Sequence, residues 1–328
     1  MDLRVIRAKK IFSNEKHNAF TSIARLNNKI YIVFRTAENH MSMDGTITVI
    51  SSGDLNEWKV IAQIKKTSLD LRDAKIIQFK NKLFLFFAGR YDHSAKRHNF
   101  MCCSDDGKTF SSPIDLEGIS DGYWLWSISA YNNTLFGAAY YRNEKGFQVS
   151  LYQSANGINW EKMIDFPFPG GETFIDIDSQ GTIWALSRDD NYGYLPMLYS
   201  INAPYNKFDK IQRLPIRLQG PMIKRLPNGC LIACRCWDYP VRHNTRTDIF
   251  WLEDGKEIEL LRTLPSGGDT SYAGVIEMGK NRILMSYYSS HEYKMAEPHE
   301  NDLLLTKDTA YAEHTTNADI FLAEISYK

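Results

Sequence analysis

The sequence predicts an all-β chain folded as a six-bladed β-propeller, and three observations carry that expectation. A strand–turn–strand unit recurs six times, its copies are evenly spaced, and the N-terminus offers a spare strand to a last unit that lacks one. The copies are Ala19–Arg35, Asp73–Gly89, Leu125–Tyr141, Thr173–Arg188, Gly220–Arg235 and Tyr272–Tyr288. Each is an apolar-rich run, a tight turn bearing Asn or Gly, and a second run of aliphatic and aromatic residues. Asn and Gly accept the positive φ that such hairpin turns demand. The turn residues Asn28, Asn81, Asn133, Gly181, Gly229 and Asn281 are spaced 53, 52, 48, 48 and 52 apart. That spacing fits one four-stranded blade per repeat.

The outer strands follow in order. In the first unit they are Thr46–Ser51 and Trp58–Ile64; in the second and third, the turns Cys103–Phe110 and Gln153–Trp160 separate the corresponding pair. No fourth strand follows Ile320–Tyr327, so Leu3–Phe12 is expected to complete the last blade and close the ring, leaving no raw edge there. The expectation is a single propeller domain over residues 1–328, with an insertion at 293–317 in the last blade. An insertion of that length suits a lid or a subunit contact, and the oligomeric state stays open.

Composition narrows the function classes. The chain is 43% hydrophobic and 13% aromatic, enough for a sizeable core, and its 39 basic residues balance 39 acidic ones. That balance gives no long-range attraction to nucleic acid or an anionic membrane. No stretch approaches the roughly 20 apolar residues that cross a bilayer. Met1–Arg4 lacks the apolar core of a secretory signal, so a cytoplasmic location is expected, or a secreted one if a leader has been removed. The five cysteines have no zinc-like spacing and read as reduced thiols packed in strands. Neither a metal nor any other cofactor is expected.

Topology then gathers chemistry. In an antiparallel hairpin, the start of the first strand and the end of the second lie at one end. Over six blades this collects Arg35, His40 and Asp44 from the first, Arg72 and Asp73 from the second, and Trp124 and Trp126 from the third. The fourth supplies Glu172 and Arg188, the fifth Arg235, and the sixth Asp269, Tyr272, Tyr288 and Glu292. The opposite rim carries mostly Asn, Lys and Gly turns. Guanidinium forks suit carboxylates, carboxylates suit hydroxyls, and aromatic faces suit sugar rings, so the expected partner is an acidic or polyhydroxyl carbohydrate.

Cys103–Phe110 approximates an Asp-box turn, S-x-D-x-G-x-T-W, with Cys for Ser and Phe for Trp. Gln153–Trp160 keeps the Gly and Trp, and Ser51–Trp58 the outer Ser and Trp. With Leu264–Tyr272 (LPSGGDTSY) and Ser286–Glu292 (SYYSSHE), nearly the whole chain resembles sialidase-like (BNR-repeat) propellers, above all bacterial proteins named exo-alpha-sialidases. The resemblance implies Tyr272 as nucleophile, Glu172 as its base, Arg188 and Arg235 as clamps on a substrate carboxylate, and Glu292 orienting an arginine. It places the acid/base in the first blade's loop, where Asp44 is the first choice and Asp73 the second. A neutral tyrosine can approach an anomeric carbon beside a carboxylate that would repel an anionic nucleophile.

One departure from the family pattern is plain. His17-Asn18 stand where the first clamp arginine opens the inner strand, and neither Arg35 nor Arg72 occupies the matching position. The leading expectation is a retaining Tyr/Glu glycoside hydrolase acting on an acidic or unusual sugar. The alternatives are a polysaccharide lyase, with His40 or Tyr272 abstracting the proton beside a uronate carboxylate, and a non-catalytic glycan-binding disc.

Overall fold

A computed structural model describes residues 3–93, 97–120, 122–144, 146–190, 193–238, 243–279, 281–293 and 317–327. Within them the chain forms strands and no α-helix, hence no helix long and apolar enough to cross a membrane. Strand β1 (Leu3–Phe12) precedes the first blade, which comprises β2 (His17–Leu26), β3 (Lys29–Ala37), β4 (Thr46–Ser52) and β5 (Lys59–Ile64). The second holds β6 (Asp70–Phe79), β7 (Lys82–Arg90), β8 (His98–Ser104) and β9 (Ile114–Asp115), the third β10 (Trp124–Tyr131), β11 (Thr134–Asn143), β12 (Gly146–Ser154) and β13 (Glu161–Asp165). The fourth holds β14 (Thr173–Ile177), β15 (Ile183–Ser187), β16 (Met197–Ile201) and β17 (Lys210–Arg213), the fifth β18 (Gln219–Leu226), β19 (Gly229–Asp238), β20 (His243–Glu253) and β21 (Ile258–Thr263). The sixth is β22 (Thr270–Glu277), β23 (Arg282–Ser289) and β24 (Asp319–Tyr327). Each blade is an antiparallel four-stranded sheet, and the six make a β-propeller. As expected, β1 pairs antiparallel with β24 from Leu3 opposite Tyr327 to Phe12 opposite Ile320, supplying the outer strand of the last blade.

Burial explains why inner strands read as near-continuous apolar runs and outer ones do not. Every residue of β4 is buried, because its sheet is covered on both faces by neighbouring blades, whereas β5 on the disc's perimeter is mostly exposed. Six apolar clusters result, each wedged between two adjacent blades. Leu69, Leu71 and Ile76 meet Val33 and Val49 between the first and second blades, and Ile320 and Leu322 meet Ile30 and Ile32 where the sixth closes on the first. Truncating one such Leu to Ala costs about 2–5 kcal/mol by cavity formation. All five thiols are free, four of them buried.

The turns between third and fourth strands sit one residue later than the sequence pattern suggested. In the second blade, Ser104 Oγ accepts the N–H of Gly107, and Asp106 Oδ1 accepts those of Lys108 and Thr109. Ser154 and Asn156 do the same in the third blade, and Ser52 and Asp54 make a related turn in the first. The Ser and the Asp or Asn that seemed lost from two copies are therefore present. The insertion read at 293–317 lies, apart from its two end residues, outside the described residues.

Candidate functional site

The inner strand of five blades carries a bulge near its start. Pairing slips between Ala19 and Ser22, Arg72 and Lys75, Leu125 and Ser127, Gln219 and Met222, and Ser271 and Gly274. Four of the bulges hold a residue at positive φ: Phe20 at 62°, Asp73 at 50°, Gly220 at 53° and Tyr272 at 48°. A non-glycine residue there costs on the order of 1–3 kcal/mol, and such strain gathers where side chains must be re-aimed. The repeat thus puts Phe20, Asp73 and Tyr272 at equivalent places around the axis.

Tyr272 donates from its hydroxyl to Glu172 Oε1 at 2.8 Å. The same oxygen lies 2.9 Å from Arg188 Nη1, and Glu172 Oε2 accepts the backbone N–H of Gly220 at 3.0 Å. Gly220 is required twice over: its φ is positive, and a Cβ there would sit 2.7 Å from the Tyr272 ring. Arg235 lies over that ring, its guanidinium carbon 4.9 Å from the ring centre. Burial pushes the Tyr272 hydroxyl well above its ordinary range, and the charge of Glu172 adds to this against Arg235 and Arg188. The phenol therefore rests protonated, with a carboxylate already bonded to its proton.

Asp269 is a second hub. Its Oδ1 accepts from Arg235 Nη2 at 2.6 Å and Tyr288 OH at 2.7 Å, and its Oδ2 meets His17 Nε2 at 2.8 Å and His40 Nδ1 at 2.5 Å. Burial works against ionising Asp269, but His40 and Arg235 beside it hold its carboxyl well below the usual range. Burial lowers His17, and brings His40 down to about 4 despite Asp269. Among the described residues His17, His40 and Asp269 are the group whose ligating atoms, within 4.8 Å of one another, could hold a metal ion. Their 2.5 and 2.8 Å separations are hydrogen-bond lengths, shorter than the ~3.3 Å between ligands on a tetrahedral ion. Arg35, Arg72 and Arg235 crowd the trio with positive charge. The set reads as a hydrogen-bonded network.

Asp73 is buried, its Oδ1 has no hydrogen-bond partner among the described residues, and burial raises its carboxyl, with Glu172 adding and Arg72 and Lys75 opposing. Trp126 packs edge-on to Tyr272 at 5.8 Å and carries Lys75 Nζ 5.0 Å from its ring. Trp124 stacks on Tyr140 and takes the Arg97 guanidinium at 4.4 Å. Phe20 is the floor, with Tyr272 and His40 each 5.2 Å away, Tyr288 at 5.6 Å and the Arg72 guanidinium at 5.1 Å.

Three of the sequence-predicted residues stand elsewhere. Arg35 is wholly buried and all its nitrogens are used: Nε on Asp70 at 2.8 Å, Nη1 on the Asn39 carbonyl and Nη2 on the Ser42 carbonyl. It braces the loop after β3 and has no fork left for a ligand. Asp44 is exposed and its carboxylate accepts the Glu38 backbone N–H, a cap on that same loop. Glu292 pairs with Lys10 of β1 rather than with an arginine. Arg72 does reach the floor of the site, donating from Nη2 to the His40 carbonyl. Phe20, Gly220 and Arg97 escaped the sequence reading; only alignment of the bulges, which needs the strand register, would have equated Phe20 with Tyr272. A separate groove on the perimeter, lined by Leu3, Val5, Leu261 and Ile325, is remote from these groups.

No protein-family model matches the chain, and neither does any curated protein. Among solved structures, it is similar over 99% of both chains to a protein of unknown function from Dyadobacter fermentans DSM 18053, with a TM-score of 0.76 and 16% identity. It is also similar to the phage phi92 endosialidase, over 98% of this chain and 69% of that one, with a TM-score of 0.71 and 9% identity. At these identities the likeness establishes the propeller fold.

Proposed function

We propose that this chain is a glycoside hydrolase acting with retention on an acidic sugar. The observation that carries the reading is the 2.8 Å hydrogen bond from Tyr272 to Glu172, buried between Arg188 and Arg235. A phenol is a poor nucleophile at its ordinary pKa, so it needs a base already in place, and Glu172 is that base. In the first step Tyr272 Oη attacks the anomeric carbon while Glu172 takes the phenolic proton. Asp73, whose carboxyl burial pushes up, gives its proton to the departing glycosidic oxygen. In the second step Asp73, now a carboxylate, draws a proton from water as it displaces Tyr272, and Glu172 returns its proton to the departing phenolate. Arg188 and Arg235 meet the substrate carboxylate, and Trp126 backs the Tyr272 ring. That a structurally similar propeller bears the name endosialidase fits an acidic glycan as substrate.

The experiment is a panel of acidic and neutral glycans with the products analysed for anomeric configuration. Release of a saturated acidic sugar with retained configuration is expected. Inversion, or release from neutral glycans alone, would break the assignment. A 2-fluoro sugar acid carrying a good leaving group should trap its mass on the peptide containing Tyr272.

A further inference from the structure

Hydrolysis at this site already has its nucleophile, base and acid in Tyr272, Glu172 and Asp73, yet the pocket holds one more group able to move a proton. His40 presents Nδ1 to Asp269 Oδ2 at 2.5 Å. That bond fixes the ring and its tautomer, since an ionised carboxylate accepts and Nδ1 must donate. The remaining lone pair is on Nε2, while the ring's bond to Asp269 runs through Nδ1, and the side chain keeps 18% of its surface exposed. A carboxylate that orients a neutral imidazole by one nitrogen and leaves the other open is the arrangement of a general base. Asp269, His17 and Arg72 are the charged and titratable groups that face His40. Burial, with Arg72 and His17 adding, opposes a charged imidazole, so the ring meets a ligand as an acceptor.

Position says which proton it would take. His40 and Tyr272 flank Phe20, each 5.2 Å from its ring. Arg235 is bonded to the carboxylate that holds His40 and lies against the ring of Tyr272. A sugar carboxylate held at Arg235 therefore has an imidazole on one side and a protonated phenol on the other. The acidic hydrogen of such a ligand is on the carbon bearing the carboxylate, and a guanidinium on that carboxylate makes it more acidic.

We infer that His40, oriented by Asp269, is a general base that gives this pocket a second activity, β-elimination on glycans containing a hexuronate. His40 Nε2 takes the proton from the carbon bearing the carboxylate, and the C–H electron pair becomes a double bond to the next ring carbon. The bond from that carbon to the bridging oxygen breaks, and the oxygen leaves with the electron pair and the phenolic proton of Tyr272. His40 then yields its proton to solvent and Tyr272 regains one, so no water is consumed and nothing is oxidised. The inference shares the acid-binding pocket and Tyr272 with the hydrolase reading, and the two differ in their base and their products.

The test uses the full chain with uronate-containing oligosaccharides, following absorbance at about 235 nm for the unsaturated uronate alongside mass spectrometry for saturated ends. The wild type should produce the unsaturated product, and both His40→Ala and His40→Gln should lower kcat for it by about 100-fold or more. Gln fills the site and can still bond Asp269 but cannot take a proton, so it separates chemistry from folding; thermal unfolding of both variants checks the latter. Saturated products alone would overturn the inference and leave the hydrolase reading standing. Unsaturated product from the wild type but undiminished rates in both variants would overturn the assignment of His40. No product from any uronate glycan, while acidic sugars are hydrolysed, would overturn it as well.

Discussion

The half of the rim built by blades four to six and the half built by blades one and two contain the same kinds of residue put to different use. On the first side, Arg188 and Arg235 approach the Tyr272 ring and hydroxyl and share their bonds with Glu172 and Asp269. On the second, Arg35, Arg72 and Arg90 converge on Asp70, which is fully buried, and also donate to the carbonyls of Asn39, Ser42, His40 and Met41. Three guanidiniums around one carboxylate would repel each other without those carbonyls; with them, they tie the loop after β3 to the second blade. An arginine at a rim is therefore no sign of ligand binding by itself. Both halves use a buried carboxylate and backbone carbonyls; what distinguishes them is that Arg188 and Arg235 also reach the hydroxyl and ring of Tyr272.

The strongest way to break that comparison is Tyr272→Phe. It removes one hydroxyl and leaves Glu172 bonded to Gly220 and Arg188. Hydrolysis should fall by about 1,000-fold or more with thermal stability nearly unchanged. Undiminished turnover would mean that the better-formed half of the rim is not the chemical half. Next comes Arg35→Ala, which leaves Asp70 buried without one of its partners and frees the Asn39 and Ser42 carbonyls. A loss of about 3–5 kcal/mol is expected in urea unfolding, since removing one member of a buried ion pair strands the other. Arg235→Lys should instead weaken acidic substrates selectively, because an ammonium cannot reproduce the fork. Equal losses of stability in both variants would erase the distinction drawn here.

The two carboxylates read from sequence as acid/base sharpen it further. Asp73→Asn should lower kcat by about 100-fold, and Asp44→Asn should change it by no more than a few-fold. Kinetics with an activated leaving group provide the check: a substrate that needs no protonation should rescue Asp73→Asn. Failure of that rescue would remove Asp73 from proton transfer.

The fold was legible because a propeller repeats. Six turns at nearly constant spacing announced six blades, and Leu3–Phe12 matched the missing outer strand residue for residue. The convergence of blades four to six was legible too, since Glu172, Arg188, Arg235 and Tyr272 meet at one place, as the repeat implied. What stayed hidden depends on register. That Phe20 is the counterpart of Tyr272 follows from a bulge at positive φ, and nothing in an apolar run of inner-strand residues signals one. The fate of Arg35 was equally hidden, because it turns on carbonyls four and seven residues away that only the folded loop presents. Asp44 looked apt by its place in that loop, and its exposure could not be read from the pattern.

The smallest expected effect concerns acid. His17 and His40 sit on one wall of the site with ring pKa values lowered by burial, His40 to about 4 from an ordinary 6.5. Below pH 6.5 the unfolded chain takes up protons on these rings and the folded protein does not, so stability present above 6.5 is lost as pH falls toward 4. Asp73 acts in the opposite sense. Its folded pKa is raised, so the folded protein binds the extra proton above 3.8, and its contribution is lost as pH rises through the folded value. The two terms oppose each other between pH 4 and 6.5. Urea unfolding across that range measures the net. In Asp73→Asn the opposing term is gone, so the acid loss should steepen, and in His40→Gln it should shrink. A slope that neither substitution alters would separate both residues from the pH response and leave the two halves of the rim electrostatically alike.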